Sequence, residues 1–142
     1  MAKQIYPCLW FEKEAKPAAE YYCGIFPNSR IINESGLVVN FELNGRHIMA
    51  LNDRRPPHAF SEAFSFVIPC EDQAEIDYYW ASLTANGGRE NCCGWCADKF
   101  GISWQVIPAM LGELLSQPGK GSKIIEAFLK MKKIDIQQLK SL

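Results

Sequence analysis

The sequence predicts an α+β fold made of two tandem βαβββ units followed by a C-terminal helical tail. The first observation behind this prediction is a faint internal repeat with an offset of 57 residues, in which Leu9 and Phe11 match Phe66 and Ile68. The second is that each half passes from an apolar strand-like run into a segment with helical spacing and then into short strands. A repeat of this kind indicates that the chain uses one structural unit twice.

Unit one is predicted to occupy about residues 4–52. Residues 4–11 have the composition of a strand, and residues 15–26 have the apolar spacing of an amphipathic helix. Three short strands follow, at residues 30–34, 37–43 and 47–52. The Asn44-Gly45 dipeptide joins the last two strands and is a strong hairpin signal.

Unit two is predicted to occupy about residues 63–108, after a surface connector at residues 53–62 that contains two arginines and two prolines. Its helix is indicated by apolar side chains at helical spacing. Its strands are predicted at residues 63–69, 89–97 and 102–107. The tail, residues 109–142, has further apolar residues at helical spacing. Acidic residues interrupt its lysines, so the lysines favour a solvated helix face over a phosphate-binding patch.

The composition excludes several classes of function. With 15 basic and 16 acidic residues the net charge is -1, so no global field favours nucleic acid or an anionic membrane. No secretory signal or membrane-length apolar run is found, and we therefore expect a cytoplasmic protein. At 142 residues a single domain is the simplest organisation. The six cysteines are then expected to be reduced thiols.

Eight stretches of the sequence resemble one known family, and they occur in the right order over nearly the whole chain. They are Cys-Leu-Trp-Phe (8–11), Ala-Ala-Glu-Tyr-Tyr (18–22), Ile-Phe-Pro-Asn-Ser-Arg-Ile (25–31), Met-Ala-Leu-Asn (49–52), Ser-Phe-Val-Ile-Pro-Cys-Glu-Asp-Gln (65–73), Cys-Gly-Trp (93–95), Asp-Lys-Phe-Gly-Ile-Ser-Trp-Gln-Val-Ile-Pro (98–108) and Lys-Met-Lys-Lys-Ile-Asp-Ile (130–136). Together with the repeat, they resemble the PhnB-like branch of the vicinal oxygen chelate superfamily. This branch is also labelled demethylubiquinone methyltransferase-like, and the superfamily includes glyoxalase I, extradiol dioxygenases and bleomycin-resistance proteins.

The resemblance implies a fold and an assembly. In the superfamily the two units form a curved mixed sheet around a cavity, and most members are homodimers. We therefore expect a homodimer with a small-molecule ligand, and no nucleic acid or membrane as a partner. Most PhnB-like proteins have no established reaction, so no catalytic residue is assigned.

The resemblance also locates where a metal would be held. Metal-using relatives bind a divalent ion through one residue on the first strand and one on the last strand of each unit, usually histidine or glutamate. The corresponding positions here are Tyr6, Ala50, Ala63 and Gln105. None of these is a good ligand for such a metal, and alanine has no side-chain donor. We therefore predict no metal ion and no other cofactor.

Strand alternation predicts what lines the cavity instead. If Leu9 and Phe66 face the helices, the residues that alternate with them face the cavity. The candidates for ligand binding are Tyr6, Trp10, Asn52, Ser65, Ser103 and Gln105, and Ala50 is expected on the same side. Such a lining suits an uncharged or aromatic small molecule. The alternative is that Tyr6 and Trp10 fill the space and nothing binds.

Two other functions stay open at this point. One is a lyase-like or isomerase-like enzyme with a metal held in a non-standard way. The other is a structural or redox-sensing dimer, since Cys93 and Cys96 have the C-x-x-C spacing of thiol–disulfide redox sites. Enzymatic activity is thus uncertain, and metal-dependent activity is disfavoured. The methyltransferase label has no support in the residues, because no glycine-rich nucleotide loop follows a strand.

Overall fold

A computed structural model of the chain describes residues 3–55 and 58–142. The chain divides into two compact units between Ala59 and Phe60. Each unit contains a four-stranded mixed sheet with helices, so the α+β class is confirmed. The single-domain organisation stays a prediction, and the predicted connector includes Pro56 and Pro57, which lie outside the described residues. In the described ranges every helix is too short or too polar to cross a bilayer.

Unit one has the predicted order of elements. It contains β1 (Cys8–Phe11), α1 (Ala15–Ile25), β2 (Arg30–Glu34), β3 (Val38–Leu43) and β4 (Arg46–Asn52). The strand order in the sheet is β1-β4-β3-β2, with β1 parallel to β4 and the other neighbours antiparallel. The turn at Asn44 and Gly45 has positive φ at both residues (49° and 82°), which confirms the predicted hairpin.

The core of unit one lies between one face of this sheet and α1. Burial alternates along the strands because successive side chains point to opposite faces. The sheet residues buried on the α1 side are Leu9, Phe11, Val39, Phe41, Ile48 and Ala50. The helix residues buried against them are Ala15, Ala18, Ala19, Tyr22 and Ile25.

Unit two repeats this arrangement and adds the tail. It contains β5 (Ser65–Cys70), α2 (Gln73–Thr84), β6 (Arg89–Glu90), β7 (Trp95–Ala97), β8 (Ser103–Pro108), α3 (Leu111–Leu115), α4 (Gly121–Leu129) and α5 (Ile136–Lys140). The strand order β5-β8-β7-β6, with β5 parallel to β8, matches that of unit one. Asp72 caps α2 by accepting from the amide of Glu75 at 2.9 Å, because the first amides of a helix have no partner within it.

The two units repeat at an offset different from the predicted 57 residues. In both units, the amide just after the last strand donates to the carbonyl of the last residue of the first strand. In unit one the amide of Asp53 donates to the carbonyl of Phe11 (2.9 Å), and in unit two the amide of Ala109 donates to the carbonyl of Cys70 (2.7 Å). This shared hydrogen bond matches Phe11 with Cys70, an offset of 59 residues. The predicted facing of the first strands is unchanged, because the two offsets differ by two residues and side chains alternate with period two.

Three predicted strands are shorter than expected. Pairing in β1 begins at Cys8, because Pro7 has no amide hydrogen to donate, although its carbonyl still accepts from the amide of Met49 at 3.0 Å. Ala63 precedes β5, which begins at Ser65. The segment 89–97 forms two short strands separated by a turn rather than one continuous strand.

Candidate functional site

The sheet of unit one presents one face to α1 and the other face away from it. Residues paired across the β1–β4 ladder lie on the same face, so Leu9 and Ala50 are on the α1 side and Trp10 and Leu51 are opposite. Burial agrees, because Leu9 and Ala50 are buried whereas Trp10 and Leu51 are partly exposed. The face opposite α1 carries Cys8, Trp10, Asn40, Glu42, His47, Met49 and Leu51.

Tyr6 joins this face by stacking on His47. Their ring centroids are 3.8 Å apart with an interplanar angle of 29°. His47 Nε2 lies 2.8 Å from Asn40 Oδ1, and Asn40 Nδ2 donates to Asn33 Oδ1 at 2.9 Å. Since Asn40 Oδ1 can only accept, His47 carries its hydrogen on Nε2 when neutral. His47 was not among the predicted site residues, although the alternation of β4 would have indicated it once Met49 was placed on this face.

Trp10 lies on the same face and has its polar atom satisfied inside unit one. Its Nε1 donates to the carbonyl of Asp53 at 2.7 Å. Its ring lies 4.0 Å from the ring of His58, tilted by 50°. The indole is only partly buried, so its aromatic surface, and not its N–H group, is what it offers to a ligand.

The predicted facing of Ala50 and Asn52 is wrong. Asn52 is paired with Phe11 and therefore lies on the α1 side. Its Oδ1 accepts from the amide of Ala15 at 2.9 Å, and its Nδ2 donates to the carbonyl of Gly36 at 3.2 Å. Glu14, at the N-cap position of α1, makes no capping bond with its side chain, so Asn52 supplies that bond from the neighbouring strand.

In unit two the predicted facing is confirmed. Ser65 is paired with Ser103 and Val67 with Gln105, which places all four on the face opposite α2. Gln105 Nε2 donates to Ser65 Oγ at 3.0 Å, so the amide orientation of Gln105 is held within the unit. Ser103 is 2% exposed and is thus less accessible than Ser65. A role of these residues in ligand binding stays a prediction.

A buried carboxylate near this face has a structural role. Asp98 is 2% exposed, and its Oδ2 accepts from Trp104 Nε1 at 2.8 Å. Its Oδ1 accepts from the amides of Phe100 (2.8 Å) and Ile102 (3.2 Å). These three donors use both oxygens and close the turn between β7 and β8.

The C-x-x-C pair does not have the properties of a redox dithiol. Burial, as the largest cause, raises the pKa of the Cys96 thiol to about 12. Burial and the adjacent Cys92 thiol raise the pKa of Cys93 to about 11. In catalytic thiol–disulfide redox sites the attacking cysteine has a lowered pKa, so both shifts oppose a catalytic redox role for Cys93 with Cys96. The sulfur closest to Cys93 is that of Cys92, at 3.2 Å.

Residues 3–107 match the family described as 3-demethylubiquinone-9 3-methyltransferase. The chain belongs to this family. Among solved structures, a PhnB protein from Bacillus cereus is 27% identical with a TM-score of 0.69, covering 75% of this chain and 100% of that chain. Protein PA1353 from Pseudomonas aeruginosa is 16% identical with a TM-score of 0.60, covering 72% and 95% respectively. A glyoxalase-related enzyme from Fulvimarina pelagi is 13% identical with a TM-score of 0.50, covering 72% and 86%. No curated protein matches the sequence.

The predicted membership of the PhnB-like family is therefore confirmed, and the likeness to the glyoxalase-related enzyme shows a shared fold. Residues 108–142, which include the tail helices, lie outside the family match. The link after β1 reads Glu12-Lys13-Glu14 and the link after β5 reads Glu71-Asp72. These two links lack the glycines of a nucleotide-binding loop. At these two positions the PhnB-like chain therefore has no loop of the type that binds a nucleotide-like methyl donor.

The residues of this PhnB-like chain do not fit the metal that its metal-using relatives hold. Unit one offers Tyr6 and Ala50 at the predicted positions, and unit two offers Ala63 and Gln105. The shared hydrogen bond matches Asp53, just after β4, with Ala109, just after β8. Counting back four residues from each, Gln105 corresponds to Met49 instead of Ala50. The thioether of methionine is a weak ligand for a hard divalent ion. Among the described residues, no three His, Cys, Asp or Glu side chains are grouped so that they could hold a metal ion.

Proposed function

We propose that this PhnB-like protein binds an uncharged or aromatic small molecule through the sheet face of unit one opposite α1, without a metal ion. The observation that carries the proposal is the stacked Tyr6–His47 pair on the face that also carries Trp10. Tyr6 is 43% exposed, so its ring is accessible from one side while His47 supports it from the other. The proposal assigns no reaction.

The chemistry of the face supports an uncharged ligand. Around the aromatic side chains it carries Cys8, Met49 and Leu51, which are neutral and weakly polar. Glu42 and Arg30 are paired across the β2–β3 ladder on this face, and their charges form an ion pair at 3.4 Å. Small-molecule sites typically combine such an apolar surface with a few oriented polar groups, and the chain from His47 through Asn40 supplies them.

The experiment that tests this proposal is a ligand-observed NMR screen with neutral aromatic fragments, run with and without a chelator. We expect hits whose affinity is unaffected by the chelator. Tyr6→Ala should weaken them about fivefold, because an aromatic contact contributes about 1 kcal/mol. The matched control is Tyr78→Ala, which removes a tyrosine that is 49% exposed on α2. Hits that require an added divalent ion, or equal affinities for the two variants, would contradict the proposal.

The polar pair on unit two is tested separately. Gln105→Ala removes the amide that donates to Ser65, and a ligand recognised at this pair in unit two should lose affinity in the same NMR screen. A homodimer and a cytoplasmic location are further proposals, and the homodimer rests on the family resemblance.

A further inference from the structure

Cys92 and Cys93 lie side by side in the turn that joins β6 to β7. Their sulfur atoms are 3.2 Å apart. Cys92 is exposed and Cys93 is partly exposed, so a small solute can reach the pair. This turn lies in unit two and takes no part in the ligand site proposed above.

The turn holds Cys93 in an unusual backbone conformation. Cys93 has a φ of 63° and Gly94 a φ of 80°, and the amide of Trp95 donates to the carbonyl of Cys92 at 3.0 Å to close the turn. A left-handed residue other than glycine costs about 1–2 kcal/mol, so the surrounding contacts must impose it. Gly94 is required, because a Cβ there would lie 2.8 Å from the carbonyl oxygen of Val106.

The contacts that impose this conformation come from the tail. The amide of Cys93 donates to the carbonyl of Met131 at 2.7 Å, and the amide of Gly94 donates to the carbonyl of Lys132 at 2.9 Å. The thiol of Cys93 also lies 3.7 Å from the carbonyl oxygen of Leu129. The turn that carries the two thiols is therefore the attachment point of the segment between α4 and α5.

We propose that Cys92 and Cys93 are a redox modification site, at which a hydroperoxide forms a disulfide between the two neighbours and thereby releases residues 129–132 from the turn. The exposed Cys92 sulfur attacks hydrogen peroxide, the O–O bond breaks, and a sulfenic acid and one water form. The Cys93 sulfur then attacks the Cys92 sulfur, the S–O bond breaks, and the departing hydroxide takes the Cys93 proton as a second water. In total, two thiols and one peroxide give one disulfide and two waters.

The order of attack and the release follow from the geometry. Burial keeps the Cys93 thiol protonated, with a pKa of about 11, so the more exposed Cys92 meets the oxidant first. The Cα atoms of neighbouring residues are about 3.8 Å apart, below the usual disulfide range of about 4.4–6.8 Å. Closing the ring is proposed to rotate the peptide group that joins Cys92 to Cys93, and this group carries the amide that donates to Met131. Strained disulfides are readily reduced, so the modification is reversible.

The test treats the reduced full chain with one equivalent of hydrogen peroxide, alkylates the remaining thiols and maps the peptides by mass spectrometry. We expect the peptide with Cys92 and Cys93 to be unalkylated and lighter by two hydrogen atoms, while the exposed Cys8 is still alkylated. In Cys93→Ser, dimedone should trap a sulfenic acid at Cys92. Cys8→Ser is the matched control and should behave like the unmodified sequence.

Hydrogen exchange measures the release. Amides in residues 129–134 should exchange faster after oxidation and return to their original rates after reduction with dithiothreitol. In Cys92→Ser, where the substituted position is exposed, treatment with peroxide should leave these exchange rates unchanged. Alkylation of Cys92 and Cys93 to the same extent as Cys8 would overturn the proposed site. A disulfide from Cys93 to Cys96 would overturn the pairing, and unchanged exchange in the oxidised protein would overturn the release.

Discussion

Asn52 shows how one side chain can serve a distant element. It lies at the end of β4, but its Oδ1 accepts from the first amide of α1, that of Ala15, at 2.9 Å. Its Nδ2 donates to the carbonyl of Gly36 at 3.2 Å, so the same amide also holds the β2–β3 turn. A helix start without a partner for its amides is unstable, and here the partner comes from another strand because the local cap residue makes no such bond.

Asn52→Ala should lower the free energy of unfolding by about 1 kcal/mol, the typical cost of losing a helix-capping acceptor. Asn52→Asp keeps an oxygen for the amide of Ala15 and loses only the donor to Gly36, so it should cost less. Urea unfolding of the three proteins checks this order. If Asn52→Ala is as stable as the original sequence, the capping role is wrong.

At the scale of elements, two glycines near helix ends have different roles. One affects only the stability of its helix, and the other is needed for close packing. Gly24 lies in the last turn of α1, and a Cβ added there would meet nothing within 4 Å. Gly88 follows α2, and a Cβ there would lie 2.5 Å from the carbonyl oxygen of Leu83. The first glycine therefore costs helix stability without a packing reason, whereas the second allows a close backbone approach.

Gly24→Ala should raise the free energy of unfolding by about 0.5 kcal/mol, because alanine restricts the unfolded chain and favours the helix. Gly88→Ala should lower it by about 1–3 kcal/mol, as expected for overpacking against a backbone oxygen. Chemical denaturation measures both changes in the same assay. Changes of equal sign in the two variants would refute the distinction.

The tail is tied to α2 by a short polar network. Gln73 Nε2 donates to the carbonyl of Ile134 and Gln73 Oε1 accepts from the amide of Ile136, both at 2.9 Å. Lys133 Nζ lies 2.8 Å from Asp77 Oδ1. The hydrogen bond from Lys133, and then that from Gln73, lower the pKa of Asp77 below its ordinary value of 3.8.

This network predicts a pH dependence. A carboxyl whose pKa is lowered by folding stabilises the fold above its ordinary pKa, and that contribution disappears as the pH falls below about 3.8 through the lowered value. Lys133→Met should therefore raise the pKa of Asp77 towards 3.8 in an NMR titration. Lys130→Met is the control, since Lys130 pairs with Glu126 at 3.7 Å. An unchanged Asp77 pKa in Lys133→Met would disprove the assignment.

At the scale of the whole molecule, the tail bears on assembly. Ile125 and Leu129 on α4 are 45% and 58% exposed, so this helix presents an apolar pair at its surface. Such an exposed apolar pair is consistent with the homodimer proposed from the family resemblance.

Sedimentation velocity at micromolar concentration should show a dimer, and this outcome tests the proposed assembly directly. Ile125→Glu combined with Leu129→Glu should shift the protein towards monomer if α4 takes part in the contact, because a buried charge without a partner is costly. Tyr78→Ala, on α2, serves as the control for a surface change elsewhere. A monomer for the original sequence would refute the homodimer.

The order of elements and the family could be predicted because their signals are local. Alternation along residues 38–43, the Asn44-Gly45 turn and the apolar stripe of α1 each specify structure within a few neighbours. Each stretch that resembles PhnB-like proteins is likewise contiguous, and the family match over residues 3–107 confirms the resemblance for the stretches within that range. These features needed no knowledge of the rest of the fold.

The pairing of distant segments was decided only by the tertiary structure. The parallel register of β1 and β4 places Met49, not Ala50, beside Cys8, and a shift of one residue moves every side chain of a strand to the opposite face. His47 thereby joins Tyr6, and Asn52 turns to α1. The sequence by itself determined the repeated units and the hairpin turn at Asn44 and Gly45. Which residues share a face, and which thiols meet, depended on packing between segments far apart in the chain, which no local pattern encodes.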